Sequence, residues 1–233
     1  MADAGGTESG IVPKLHDWRI DAEEYARHEA RRGRRYAYED LDPARTALVV
    51  VDMVAFFVAG DAYCRGIVPN VDRLARTLRS AGGTVVWVLP EADAVPSDWA
   101  VGFFGPRVAA AYARSGGSGT PSARLWPGLR PEAGDLWADK SASSAFFPGR
   151  SPVPELLRER GVDTVLITGT VTGVCCESSA RDASTLGYRV IVVADATAGG
   201  ADRLHNASLR TVYRSFGDVR PTDEVLRLIA AGA

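Results

Sequence analysis

Four short runs in this chain are apolar almost without interruption: Thr46–Val51 (TALVVV), Thr84–Leu89 (TVVWVL), Thr164–Ile167 (TVLI) and Arg189–Ala194 (RVIVVA). A strand with one wet face alternates apolar and polar residues. A run without alternation is buried on both faces, which is the condition of a parallel sheet covered by helices. Helical stretches separate the runs, at about Val71–Ala81, Pro154–Arg160, Val174–Leu186 and Asp202–Phe216, and a last one follows at Asp223–Ala230. Short strands at Leu136–Ala138 and Asp218–Arg220 bring the count to six. This alternation predicts an α/β fold: a doubly wound, mostly parallel six-stranded sheet with helices on both faces, in a Rossmann-like three-layer arrangement.

With 233 residues, 46% of them hydrophobic, the chain suits one large domain over 45–233 better than two small ones. Residues 1–44 read as an N-terminal extension. Residues 1–10 are small and polar, and disorder is expected there. A helix is expected over Asp21–Arg32, with Asp21 as N-cap and Gly33 as its stop. Its apolar face of Ala22, Tyr25 and Ala26 is thin, so it should pack on the main domain or on a neighbouring subunit. The stretch Glu91–Pro131 is irregular, with five prolines and five aromatics, among them Trp99, Phe103, Phe104, Tyr112 and Trp126. An excursion of that length between strands reads as a lid or pocket wall.

Several classes are disfavoured. A net charge of −2 gives no electrostatic reason to expect nucleic acid or an anionic membrane as partner. No apolar run is long enough to span a bilayer, and MADAGGTESG has neither a basic start nor an apolar core, so the expectation is a cytoplasmic protein without a signal peptide. Three cysteines, two of them adjacent, do not make a disulfide framework.

Chemistry concentrates at the carboxyl ends of the predicted strands, where open α/β sheets keep their ligand sites. Asp52 follows the first strand, Lys140 the third, and Cys175 stands where the fourth strand hands over to a helix. That position predicts a thiol shifted toward thiolate, since unpaired N–H groups and the helix dipole favour negative charge. Lys140 is one of only two lysines, the other being Lys14, in a chain whose basic residues are otherwise all arginine. A lysine used so sparingly suits a role that arginine fills poorly, such as exchanging a proton. Asp52 as general base, Lys140 as charge stabiliser and Cys175 as nucleophile form a set able to attack a carbonyl carbon.

Taken in order, TALVVVDM (46–53) with Phe57, the K-x-x-x-S-A-F run of Lys140, Ser144, Ala145 and Phe146, and the G-x-x-T-x-x-C run of Gly169, Thr172 and Cys175 form a specific pattern. Ser179–Ala180, Asp182–Ala183, Gly187–Tyr188 and VVADA (192–196) continue it. From about Arg45 to Ile229 the sequence resembles the isochorismatase-like cysteine hydrolases. These include nicotinamidases, N-carbamoylsarcosine amidases, ureidoacrylate and maleamate amidohydrolases and streptothricin hydrolase. The resemblance implies a catalytic triad of Asp52, Lys140 and Cys175. It also implies a non-proline cis peptide at Thr170–Val171, and an oxyanion hole made by the N–H groups of Val171 and Cys175.

The departures from the family pattern are informative. Val54 and Ala55 stand where many relatives carry Gln and Asn, and none of His16, His28 and His205 falls in 91–99, where nicotinamidases place metal ligands. The resemblance therefore points to the branch that works without metal or other cofactor, of the N-carbamoylsarcosine amidase and streptothricin hydrolase kind. The expected activity is hydrolysis of a small-molecule amide or lactam C–N bond through a thioester, by a homo-oligomer (dimer or tetramer). Alternatives are an isochorismatase-type vinyl-ether hydrolase, which does not use the thiol, and a non-catalytic small-molecule-binding protein. Phe57, Trp87, Glu91, Phe146 and Thr172 are the expected substrate contacts, with residues 99–104 as further wall. Glu91 and Asp93 suggest a substrate carrying positive charge or N–H donors; otherwise Arg107 or Arg181 is the candidate for recognition.

Overall fold

The computed structural model describes residues 10–233. The disorder expected of residues 1–10 thus falls, Gly10 apart, outside the described residues. Six strands form one sheet: β1 (Thr46–Val51), β2 (Thr84–Pro90), β3 (Leu136–Lys140), β4 (Thr164–Thr170), β5 (Arg189–Ala198) and β6 (Asp218–Arg220). Their order is β3-β2-β1-β4-β5-β6 and every neighbouring pair is parallel. The chain winds outward from β1 to β3, crosses back, and winds outward again from β4 to β6. The direction reverses between β1 and β4, which opens a crevice at their carboxyl ends.

The uninterrupted apolar runs find a core on each side of the sheet. Val49, Val51, Val86, Val88, Val165 and Ile167 face one side. They pack there with α8 (Val153–Glu159), α9 (Glu177–Thr185) and α10 (Asp202–Ser215). Leu48, Val50, Val85, Trp87, Leu89 and Leu166 face the other. That side is covered by α4 (Val68–Ser80) and α11 (Thr222–Gly232). Neighbours in sequence thus belong to opposite cores, as the two-residue period of a strand demands.

The helix α1 (Ala22–Arg32) starts after Asp21 and stops at Gly33, whose φ of 74° only glycine adopts freely. It packs on the main domain, where Tyr25 and His28 meet Tyr213 edge-on at 5.2 and 4.9 Å. The excursion after β2 is more regular than its composition suggests. It folds into α5 (Asp98–Phe104), α6 (Pro106–Ala113) and α7 (Pro121–Arg124). Ser97 caps the first of these by accepting from Ala100 N–H, and prolines open the other two. Trp99 and Phe103 are stacked at 5.4 Å and exposed. Between β1 and α4 lie the short helices α2 (Ala55–Val58) and α3 (Ala62–Gly66).

Gly169 illustrates how tightly β4 is held. Its φ is 105°, and a Cβ there would overlap the Val51 backbone. We expect Gly169→Ala to destabilise the protein by about 2–4 kcal/mol, since it combines strain at a positive φ with a backbone clash. The measurement is the urea midpoint, read with an unchanged slope.

Candidate active site

The sheet's pleat and one unusual backbone angle bring three side chains together. Val51, Val88 and Ala138 are level across β1, β2 and β3, so Lys140 stands on the same face as Ala138, two residues higher. The strand period alone would turn Asp52 to the opposite face, with Val50. Asp52 instead has φ 53°, a left-handed conformation that breaks the alternation. Its backbone is fixed there from both sides, with Asp52 N–H donating to Val88 O at 2.8 Å and Thr170 Oγ1 donating to Asp52 O at 2.7 Å. Lys140 reaches across β2 and places Nζ 2.9 Å from Asp52 Oδ2. The same Nζ lies 3.7 Å from Cys175 Sγ and donates to Ala142 O at 3.0 Å.

Cys175 sits on a single π-helical turn, Thr172–Cys176, between β4 and α9. The turn hangs from Val171, whose carbonyl accepts from both Val174 and Cys176 N–H at 3.0 and 3.3 Å. The Thr170–Val171 peptide is cis, as the resemblance implies. The Val171 N–H is close enough to the Cys175 sulfur to draw the thiol pKa down. Two of the small motif residues tie this turn to the loop after β3. Ser179 Oγ donates to Cys175 O at 2.6 Å and accepts from Ala145 N–H at 2.9 Å, so the π turn and the loop after Lys140 are fastened through one hydroxyl.

The electrostatics revise one expectation. All three groups are buried: Asp52 is 1% exposed, Lys140 5% and Cys175 7%. Burial, and then the Asp52 charge, push the Cys175 thiol up to about 12, against the pull of the Lys140 ammonium and the Val171 N–H. The prediction of a lowered thiol is therefore overturned, because desolvation and an adjacent carboxylate outweigh the helix terminus. Burial also raises Asp52 above the usual carboxylate range, although Lys140 opposes it. Burial works to lower Lys140, but Asp52 and Cys175 outweigh it and hold the ammonium above its ordinary value. The resting site thus holds a neutral Cys175 thiol beside the buried Asp52–Lys140 pair. Lys140 and Cys175 are the side chains that reach the Asp52 carboxyl. Both oxygens retain lone pairs with which to accept the thiol proton.

The expected substrate contacts fare unevenly. Trp87 does not wall the site: it is fully buried on the opposite face of the sheet, where its indole N–H donates to Asp135 Oδ2 at 2.8 Å. Phe146 shares the core of Cys175 but is fully buried, with its ring against Tyr188 at 5.6 Å, so it supports the site from beneath. Thr172 is buried and its hydroxyl is 2.9 Å from His205 Nδ1. Phe57 is half-buried against Phe56 at 4.9 Å on α2, just after Asp52. Glu91 is exposed and lines a cleft of about 500 Å³ with Asp139, Ser141, Arg150 and Glu155; Lys140 is the residue common to that cleft and the Asp52–Lys140–Cys175 cluster. Asp93 is exposed with φ 52°. Arg181 is engaged with Glu177 on α9 at 2.6 Å.

The sequence alone assigns no role to His205 and His16. Both are buried, and burial lowers the pKa of each, His205 to about 3. The only signal available was that buried histidines are uncommon and need partners. Among the described residues no group of three or more His, Cys, Asp or Glu side chains is placed to hold a metal ion, and no helix is long and apolar enough to cross a membrane.

Fold and site together define a doubly wound α/β protein that holds a thiol, a carboxylate and an ammonium in one buried contact at the switch point of its sheet. Residues 46–224 match the isochorismatase domain, and the chain belongs to the isochorismatase family. It is 31% identical over 212 residues to a ureidoacrylate amidohydrolase, RutB, of Methylobacterium radiotolerans, covering 76% of each chain. It is similar to the crystal structure of a cysteine hydrolase from Pseudomonas syringae pv. phaseolicola, with a TM-score of 0.75 and 28% identity over 85% of this chain and 98% of that one. It is also similar to N-carbamoylsarcosine amidase from Thermoplasma acidophilum, with a TM-score of 0.62 and 30% identity over 77% of this chain and 97% of that one.

Proposed function

We propose that this protein is a cysteine-dependent hydrolase that cleaves a non-peptide amide or lactam C–N bond of a small molecule, with Cys175 as nucleophile. The observation that carries the reading is the position of Lys140 Nζ, 2.9 Å from Asp52 and 3.7 Å from Cys175 inside a buried site. An ammonium there stabilises a thiolate only while one forms, and a raised carboxylate is a matched acceptor for a high-pKa thiol. Relatives named as an amidohydrolase and an amidase support the choice of bond.

The reaction proceeds in two halves. As substrate excludes water, the Cys175 proton passes to Asp52 and Sγ bonds to the carbonyl carbon. The carbonyl oxygen takes the electron pair and is met by the N–H groups of Val171 and Cys175. The C–N bond then breaks, and the departing nitrogen receives the proton from Asp52, leaving an acyl thioester. Water adds to the thioester with its proton going to Asp52; the C–S bond breaks, the thiol recovers its proton, and a carboxylic acid leaves.

A panel of small amides, ureido compounds and lactams tests the proposal, with release of ammonia or amine and the mass of the Cys175 peptide both followed. The expected result is amine release accompanied by an acyl adduct on Cys175 after acid quench. Amine release from a protein whose Cys175 has been fully alkylated would overturn the reading.

A further inference from the structure

The segment before α1 precedes the family-matched residues 46–224, yet it is bound closely to the back of the site. Lys14 N–H donates to Ala62 O at 3.0 Å. Asn206 on α10 grips the segment twice, accepting from Arg19 N–H at 2.8 Å and donating to Asp17 O at 2.9 Å. Gly66 is the point where the segment crosses α3: a Cβ there would overlap the Lys14 carbonyl. Between these fastenings His16 turns inward and is 6% exposed.

The His16 ring has a partner on each side. Gly199 N–H donates to Nε2 at 3.3 Å, so the ring proton resides on Nδ1, which donates to Asp202 Oδ1 at 2.6 Å. One ring face stacks on Tyr63 at 3.7 Å and the other on His205 at 4.1 Å. Both routes inward end on the nucleophile turn. Gly199 backs directly on Val171, where a Cβ would meet the Val171 side chain at 2.5 Å. His205 Nδ1 pairs with the hydroxyl of Thr172, the first residue of the π turn, at 2.9 Å.

We propose that His16, carried by the N-terminal strap, is a positioning residue for the oxyanion-binding turn, holding Val171 through Gly199 and Thr172 through His205. It touches no reacting atom. Its contribution is to fix where the Val171 N–H points when the carbonyl oxygen gains charge. Displacement of such a group by a fraction of an ångström is costly for acyl transfer and of little consequence for a reaction that forms no oxyanion.

That contrast provides the test, which rests on the thioester reading above. Acylation by p-nitrophenyl acetate forms an S–C bond at a carbonyl and expels p-nitrophenolate, so it passes through an oxyanion. Iodoacetamide alkylates the same sulfur by displacing iodide at a CH₂ group and forms none. In His16→Ala we expect the p-nitrophenolate burst to slow by about tenfold or more, while alkylation of Cys175, whose thiolate the Val171 N–H favours less than Lys140 does, slows by only about threefold or less. Gly66→Ala should do the same without altering the histidine, because it lifts the strap away. It also keeps the question answerable if His16→Ala does not fold. An unchanged burst in either folded variant, or burst and alkylation falling together, overturns the proposal. A native protein that gives no burst at all removes the thioester reading itself, a result distinct from a native burst that the substitutions leave intact.

Discussion

Cys175→Ala is expected to lower turnover by about four orders of magnitude or more, because loss of a covalent nucleophile disables the other groups of the set with it. The fold should survive. The side chain is small, the π turn is held by Val171 O and Ser179 rather than by the sulfur, and removing one buried sulfur costs only about 1 kcal/mol. Cys176→Ala is the control. Cys176 is 1% exposed and packs in the core beneath β4, so its loss is a packing change. The check is steady-state amine release from both variants beside their urea unfolding curves. A Cys176→Ala protein that is folded and inactive, with Cys175→Ala active, would place the nucleophile one residue along.

Asp52→Asn is expected to lower kcat by about two to four orders of magnitude, since an amide of the same shape cannot take the thiol proton. The pH dependence separates this role from a structural one. A protonated Asp52 is equally unable to accept, so activity is present above its pKa and lost as the pH falls through it. Burial raises that pKa, which places the acid limb above the ordinary carboxylate value of about 4. Lys140 is held above its own ordinary value, so the ammonium persists to beyond about pH 10. Rate profiles of the native protein should show the displaced acid limb, and those of Asp52→Asn should lack it. An acid limb of the same position in both would assign it to another group.

β1, β2, β4 and β5 are readable in the chain because each contains a compact apolar run, and Asp52 and Cys175 can be placed because each stands just beyond one. The limits have equally specific causes. β3 runs to Lys140 rather than ending at Ala138, because Asp139 is a polar edge residue whose exposure the pattern reads as a loop. β5 continues to Ala198 through small residues that carry little strand signal. Trp87, expected as a substrate contact, faces away from the site, and the run that makes β2 easy to find cannot show this: a strand buried on both sides erases the alternation that says which side is which. The resting state of Cys175 depends on how deeply three distant segments bury one another, which no local motif encodes. The contact of His16 with Gly199 joins residues from opposite ends of the chain, and only the folded topology brings them together.

The ammonium of the site hangs from the sheet's border. β3 has one neighbour, whereas β1 and β4, which carry the carboxylate and the thiol, each have two. Its near end is moored by Asp135 to Trp87 and Arg79, and its far end by the Glu91 N–H on Lys140 O. Releasing it requires one ladder to part, while releasing β1 or β4 requires two. The border strand that carries Lys140 is therefore the less cooperative part of the sheet and opens at lower cost than the centre, which carries Asp52 and leads into Cys175.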